Sequence, residues 1–277
     1  MIETRAKPEW CPGCGNFGIL NAVKTAILEL SLPWEKTVLV SGIGCHGKFP
    51  HFLNTYGFES IHGRALPVAQ AIKLANRELT VIVNTGDGDT YGIGSAHFIH
   101  AMRRNVDMTL IAHNNLIYGL TTGQTSPTSK QGHKTKSTPH GVLERPMNPI
   151  ALALAAGATF VSRAYPVKMN HFKETLKEAI KHRGISLVDV LQPCVTFNKG
   201  YSYDYYNDKV YLLEESGHDS SDLDSAWEKA REWDGIPLGI FYREEKPTYG
   251  DGLPQISESS LVHQPIKDVK DLMDELF

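Results

Sequence analysis

Residues 79–89 read Leu-Thr-Val-Ile-Val-Asn-Thr-Gly-Asp-Gly-Asp. The β-branched run up to Gly86 is short, apolar and closed by glycine, as a buried strand is. Behind it, Gly86-Asp87-Gly88-Asp89 turns toward a helical stretch, "GIGSAHFIHAMRRN" (92–105). Strand, glycine turn and helix in that order make one half of a strand–helix–strand unit.

The same rhythm extends to both sides. "TVLVSG" (37–42), "MTLIAHNN" (108–115) and "ISLVDVLQ" (185–192) read as further buried strands. "NFGILNAVKTAILEL" (16–30), "ALPVAQAIKLANREL" (65–79) and "KMNHFKETLKEAIKHRG" (168–184) read as helices, the last ending in basic residues and a glycine. Strand–helix alternation predicts an α/β fold, a doubly wound, mostly parallel sheet with helices on both faces. Two regions fall outside it. One is a polar loop from Thr121 to Pro149, of a length usually reserved for function or disorder. The other is the chain beyond residue 200. The expected division is a binding domain over 1–200 and an extension over 201–277, packed on the core or on a partner.

Charge follows that division. The net charge is −3, but residues 201–277 hold 18 acids against 7 bases, a balance of −11, which leaves +8 on the first 200 residues. A basic body suits an anionic ligand or an acidic partner. Nucleic acid is not expected, since no run of basic residues is interleaved with aromatics. No apolar run reaches the roughly 18–20 residues of a membrane helix. "MIETRAKPEW" at the start has no apolar signal region, so a cytoplasmic location is expected, where structural disulfides are rare.

Ligands of doubly wound sheets bind beyond the carboxyl ends of the strands. The residues just past the predicted strands are Ile43-Gly44-Cys45-His46-Gly47, Asp87-Gly88-Asp89, Asn114-Asn115 and Cys194. Cys11 and Cys14, in "WCPGCG" (10–15), precede the first helix and can reach the same edge. These are the four cysteines of the chain. One C-x-x-C with two distant single cysteines matches zinc ribbons poorly, because those use two short-spaced pairs. Iron–sulfur clusters accept scattered thiolates. Spacing alone leaves cluster, zinc and ordinary buried thiols open. Asp87 and Asn115, on neighbouring strand ends, offer hard oxygen ligands for Mg²⁺, which is commonly shared with substrate phosphates. Gly88 allows backbone to approach a diphosphate, and the helix expected from Tyr91-Gly92 offers its amide end to the anion.

Two other patterns carry less. Gly42-Ile-Gly44-Cys-His-Gly47 has the spacing of a dinucleotide fingerprint, but "KFPHFLNTYGF" follows it instead of a helical stripe. His97 and His100 lie three apart on a predicted helix, a spacing more common on a surface or in a core than at a metal.

Taken together, "WCPGCGNFGIL", "SGIGCHGKFP", "IHGRALPVAQAIKLAN", "TGDGDTYGIGSAHFIHAMRRN" and "HNNLIYGLTTGQTSPTS" resemble the β subunit of 2-oxoacid:ferredoxin oxidoreductases, most closely the 2-oxoglutarate branch. The likeness runs from about Trp10 to Val195. It implies a sheet of the thiamine diphosphate-binding type. It also implies coenzyme A-dependent oxidative decarboxylation of a 2-oxoacid, with electrons leaving through a 4Fe–4S cluster to ferredoxin. Pyruvate or broad specificity, or a non-redox thiamine diphosphate decarboxylase subunit, are the alternatives. The resemblance makes Cys11, Cys14, Cys45 and Cys194 the cluster ligands. It makes Asp87, Asn115 and the carbonyl of Ile117 the Mg²⁺ ligands. Ile43, Gly44, Cys45, His46, Gly88, Asp89, Gly119 and Leu120 would contact thiamine diphosphate; some relatives carry serine where His46 stands. His46 and Lys48 are the candidate catalytic residues, Lys48 as partner of the distal carboxylate of 2-oxoglutarate. The glutamate that activates the cofactor lies on the α subunit in this family. This chain is therefore expected to be inactive alone and to work as αβ or (αβ)₂.

Overall fold

The computed structural model describes residues 2–232, 234–266 and 269–274. Its strands are β1 (Thr37–Ser41), β2 (Tyr56–Glu59), β3 (Thr80–Gly86), β4 (Met108–Asn114), β5 (Phe160–Ala164), β6 (Ile185–Leu191), β7 (Val210–Leu212) and β8 (Ile236–Arg243). The α-helices among the described residues are α1 (Asn16–Glu29), α2 (Phe49–Phe52), α3 (Ala65–Ala75), α4 (Ser95–Arg104), α5 (Pro149–Ala155), α6 (Met169–Lys181), α7 (Tyr203–Asn207), α8 (Leu223–Ala230) and α9 (Val269–Asp274). One sheet has the order β2-β1-β3-β4-β6-β5-β8-β7. The first six of these strands are parallel, and β8 joins β5 antiparallel with β7 parallel to it.

Side chains on a strand point alternately to the two faces, and here both faces are apolar. Val38, Val40, Val81, Val83, Leu110, Ala112 and Leu187 meet α3, α4 and α5 through Leu66, Phe98, Met102 and Ile150. Leu39, Ile82, Ile111, Val188 and Val190 meet α1 and α6 through Ile19, Val23, Phe172 and Leu176. Each such aliphatic side chain, once fully buried, contributes about 1.5–3 kcal/mol. That is why the four predicted runs are mostly apolar until their carboxyl ends. There the character changes: Asn84 and Thr85, His113 and Asn114, and Asp189 are all buried.

Four strands lie outside the sequence-based expectation, each for a physical reason. β2 is an exposed edge of four residues with no buried pattern. β5 carries Arg163, which pairs with the buried Asp189. β8 is interrupted by Pro237 and by Gly239 at φ +118, beside a register shift at Val161/Ser162. β7 spans three half-buried residues. The residues beyond 200 thus extend the sheet, and Arg77 binds the following segment through Asp251 and the Ile256 carbonyl.

Two helix boundaries also differ. α3 stops at Ala75, because the Asn76 side chain takes the Glu78 amide in a local turn that competes with the helix. Gly88–Ile93 forms a π-helical turn kinked at Gly92, and α4 starts only at Ser95. Among the described residues, no helix is long and apolar enough to cross a membrane.

The chain leaves β1 toward β2 on one side and leaves β3 toward β4 on the other. Such a reversal opens a crevice beyond the strand ends, between β1 and β3.

Candidate active site

That crevice holds a cavity of about 310 Å³. Ile43, Gly44, Cys45 and His46 line it from the end of β1, Asp87, Gly88 and Asp89 from the end of β3, and Asn115, Ile117, Gly119 and Leu120 from beyond β4. A second cavity, about 390 Å³, is lined by Cys11, Cys14, Cys45, Cys194 and Lys48. The two share a wall made of Ile43, Gly44, Cys45, Asn115, Gly119, Leu120 and Gln192.

The N-terminal cysteines reach the wall because Trp10 anchors them. Its indole N–H donates to the Cys45 carbonyl at 2.6 Å, and its ring packs on Phe17, Phe49 and Phe52. A tight turn then brings the Cys14 amide to the Cys11 carbonyl at 2.9 Å. The Gly15 amide binds the Pro193 carbonyl, next to Cys194. At Gly119 an added Cβ would lie 3.5 Å from Cys45 Sγ and 3.8 Å from Cys194 Sγ, so the missing side chain leaves a hollow between two sulfurs. Burial, with the neighbouring sulfurs, pushes Cys45 up to about 12, and burial also raises Cys14. These thiols stay protonated until something positive binds them. Among the described residues no three His, Cys, Asp or Glu side chains converge on one point closely enough for a single metal ion. Four cysteines lining one cavity are the donor set that a 4Fe–4S cluster takes.

Asp87 is 2% exposed, and its donors are neutral: Ser126 Oγ at 2.5 Å and Thr128 Oγ1 at 2.7 Å, both to Oδ2, with backbone amides. Burial raises its carboxyl to about 6 despite those donors. A cation would restore its charge, and Asn115 and Ile117 face the same cavity. The donor set therefore fits Mg²⁺. Asn115 Oδ1 takes the Ile117 amide at 3.1 Å, which shapes the turn. Gly88 is required by close approach: an added Cβ would come within 2.1 Å of the Tyr118 ring.

Asp89 has different partners from Asp87. Burial alone would raise it, but His46 and His62 outweigh that and hold it down at about 2. The Gly63 amide also binds it. His46 Nε2 lies 3.3 Å from Asp89 and 3.1 Å from the Gly86 amide, so the ring supports the β3 turn. Lys48 is exposed and borders the cysteine cavity beside Glu59.

Sequence reasoning did not find Gln192, His62, Tyr118, Ser126 or Thr128. Ser126 and Thr128 sit in the long 121–149 loop, and their hydroxyls, 39 and 41 residues from Asp87, carry no spacing signal. "LQPC", with an amide two residues before a strand-end cysteine, was the one visible hint of Gln192.

The sheet thus presents a glycine-lined crevice at its switch point, with a cysteine-lined cavity against it. Residues 42–190 match the C-terminal TPP binding domain of thiamine pyrophosphate enzymes, and residues 194–258 match the C-terminal family of the pyruvate ferredoxin oxidoreductase β subunit. A Saccharolobus solfataricus 2-oxoacid:ferredoxin oxidoreductase β subunit is 48% identical over 96% of each chain. The 2-oxoglutarate oxidoreductase subunit KorB of Mycobacterium tuberculosis is 53% identical over 69% of this chain and 51% of its own. A solved 2-oxoglutarate:ferredoxin oxidoreductase from Magnetococcus marinus, with 2-oxoglutarate, coenzyme A and succinyl-CoA bound, superposes with a TM-score of 0.92. It is 39% identical and covers 99% of this chain and 94% of its own. The chain belongs to the β subunits of the 2-oxoacid:ferredoxin oxidoreductases.

Proposed function

We propose that this chain, with an α partner, performs coenzyme A-dependent oxidative decarboxylation of 2-oxoglutarate and passes the electrons through a 4Fe–4S cluster to ferredoxin. The observation that carries this reading is the wall shared by the cofactor cavity and the four-cysteine cavity. Electron transfer favours short distances, and Cys45 belongs to both sides.

Thiamine diphosphate supplies the electron sink for loss of CO₂. The chain's own residues supply placement. Backbone at 43–46 and at Gly88 cradles the diphosphate, while Asp87, Asn115 and the Ile117 carbonyl hold Mg²⁺. Cys11, Cys14, Cys45 and Cys194 hold the cluster. Ile43, Leu120 and Tyr118 make part of the cavity lining apolar. Lys48, across the shared wall, offers an ammonium to the distal carboxylate of the oxoacid. The glutamate that activates the cofactor would come from the α subunit, as it does in this family. Four unpaired thiols suit a reducing, cytoplasmic setting. The preference for 2-oxoglutarate is supported by the names of the Mycobacterium and Magnetococcus relatives.

The test is anaerobic reconstitution of the αβ pair with ferredoxin. Reduction of ferredoxin that requires both 2-oxoglutarate and coenzyme A is expected, and neither subunit alone should support it. Release of CO₂ without ferredoxin reduction would select the non-redox decarboxylase instead, and faster turnover of pyruvate would overturn the substrate.

A further inference from the structure

Two amides and a thiol stand in line between the cavities. Asn115 Nδ2 donates to Gln192 Oε1 at 3.3 Å, and Gln192 Nε2 donates to Cys14 Sγ at 3.4 Å. Gln192 lines both cavities and is 2% exposed. Its position is fixed from both ends. Its backbone N–H donates to the Asn114 carbonyl at 2.9 Å, and its Cγ packs so close to Gly15 that an added Cβ there would sit 2.9 Å away.

The sense of the Gln192 amide follows from chemistry. An amide offers one accepting end and one donating end. Asn115 Oδ1 accepts the Ile117 amide, so its NH₂ is the end that remains for Gln192. Gln192 must then answer with Oε1, and its own NH₂ is left facing sulfur. The orientation of Asn115 therefore sets the direction of an N–H bond at a cluster thiolate.

We propose that Gln192 raises the reduction potential of the cluster through this N–H···S bond, with Asn115 fixing its direction. An N–H donor stabilises negative charge on sulfur, and hydrogen bonds to the sulfurs are one of the levers on cluster potential. Accepting one electron takes the cluster from the 2+ to the 1+ state and adds one negative charge to the cage and its thiolates. The bond is therefore stronger in the reduced form. It makes the cluster a readier acceptor beside the thiamine cavity. Gln192 acts as a tuning residue and needs no contact with substrate. The inference rests on the cluster assignment above.

The test is a poised-potential titration of the anaerobic αβ complex, read by the electron paramagnetic resonance of the reduced cluster, on wild type, Gln192→Leu and Gln192→Glu. Iron content and a melting curve accompany it. Leucine fills the site without a donor. Glutamate still accepts from Asn115 but turns an oxygen toward sulfur. Midpoints should fall in the order wild type, leucine, glutamate. In Gln192→Glu the oxidised-to-reduced ratio at the wild-type midpoint should rise about tenfold, which is about 59 mV for a one-electron couple. Unchanged midpoints with the cluster present overturn the inference and leave the cluster assignment standing. So does a variant that folds but loses its iron, because Gln192 would then build the site instead of biasing its charge. If Gln192→Leu does not fold, Gln192→Glu carries the comparison. A wild-type protein without iron overturns both.

Discussion

Thr128→Val keeps the outline of the side chain and removes one hydroxyl. That hydroxyl has a single proton and lies 2.7 Å from Asp87 Oδ2 and 2.9 Å from Asn114 Oδ1, with all three residues buried. Ser126 still serves the Asp87 oxygen, while Asn114 Oδ1 loses its side-chain donor. A buried acceptor left without a partner costs about 1–3 kcal/mol. One proton serves one acceptor at a time, so one acceptor is orphaned and the total is about 1–3 kcal/mol for the protein without cation. Each kcal/mol is about 2–4 °C at this chain length, so the melting temperature should fall by about 2–12 °C. Groups that orient a metal ligand typically account for about 10–100-fold in affinity. Mn²⁺ binding in the presence of thiamine diphosphate, followed by electron paramagnetic resonance, should weaken by that factor. Thr135→Val is the control, since that hydroxyl meets only Ser137 and Thr138 of the same loop. A Thr128→Val protein that melts within about 1 °C of wild type and binds Mn²⁺ equally well refutes the reasoning, because the hydroxyl would then carry neither role.

Three further outcomes are expected. Gly88→Ala drives a methyl into the Tyr118 ring, and about 1–3 kcal/mol of overpacking should weaken thiamine diphosphate binding by about tenfold or more in calorimetry; equal affinity contradicts the close approach. Burial lowers the pKa of His182 in the fold, so the unfolded chain takes up its proton first as pH drops. Its stabilising neutral form is therefore fully effective above the unfolded value near 6.5 and is lost on acidification. His182→Gln should make the fall of unfolding free energy below about pH 6.5 shallower by up to about 1.4 kcal/mol per pH unit, and an unchanged slope in denaturant titrations contradicts it. Lys48→Ala should raise the KM for 2-oxoglutarate and leave that for pyruvate nearly unchanged; equal losses on both acids remove the distal-carboxylate role.

The centre of the sheet was legible because its strands are covered on both faces, and such strands must be continuous apolar runs. Val81-Ile82-Val83 and Leu110-Ile111-Ala112 show this directly. The positions of Asp87, Asn115 and Cys194 were legible for a related reason. A polar or sulfur group just past a buried run has one place to go, the carboxyl edge. β2 and β7 were not legible, since edge strands bury too little to impose a pattern, and in β8 Pro237 and Gly239 hide the strand. Ser126, Thr128 and Gln192 were hidden more deeply. Their roles depend on hydrogen bonds formed only after a structureless loop and a strand end have been packed together, and no local period records such a meeting. The length of the polar 121–149 loop pointed to function or disorder, and Ser126, Thr128 and Ser129 are buried against the site.

Iron, acid-labile sulfide and zinc, counted per chain in anaerobically purified protein, bear most directly on whether the four sulfurs at the sheet edge hold a redox centre. Four iron and four sulfide per chain, with no zinc, are expected from a 4Fe–4S centre on Cys11, Cys14, Cys45 and Cys194. One zinc per chain, or a colourless, iron-free protein with its fold intact, would contradict it.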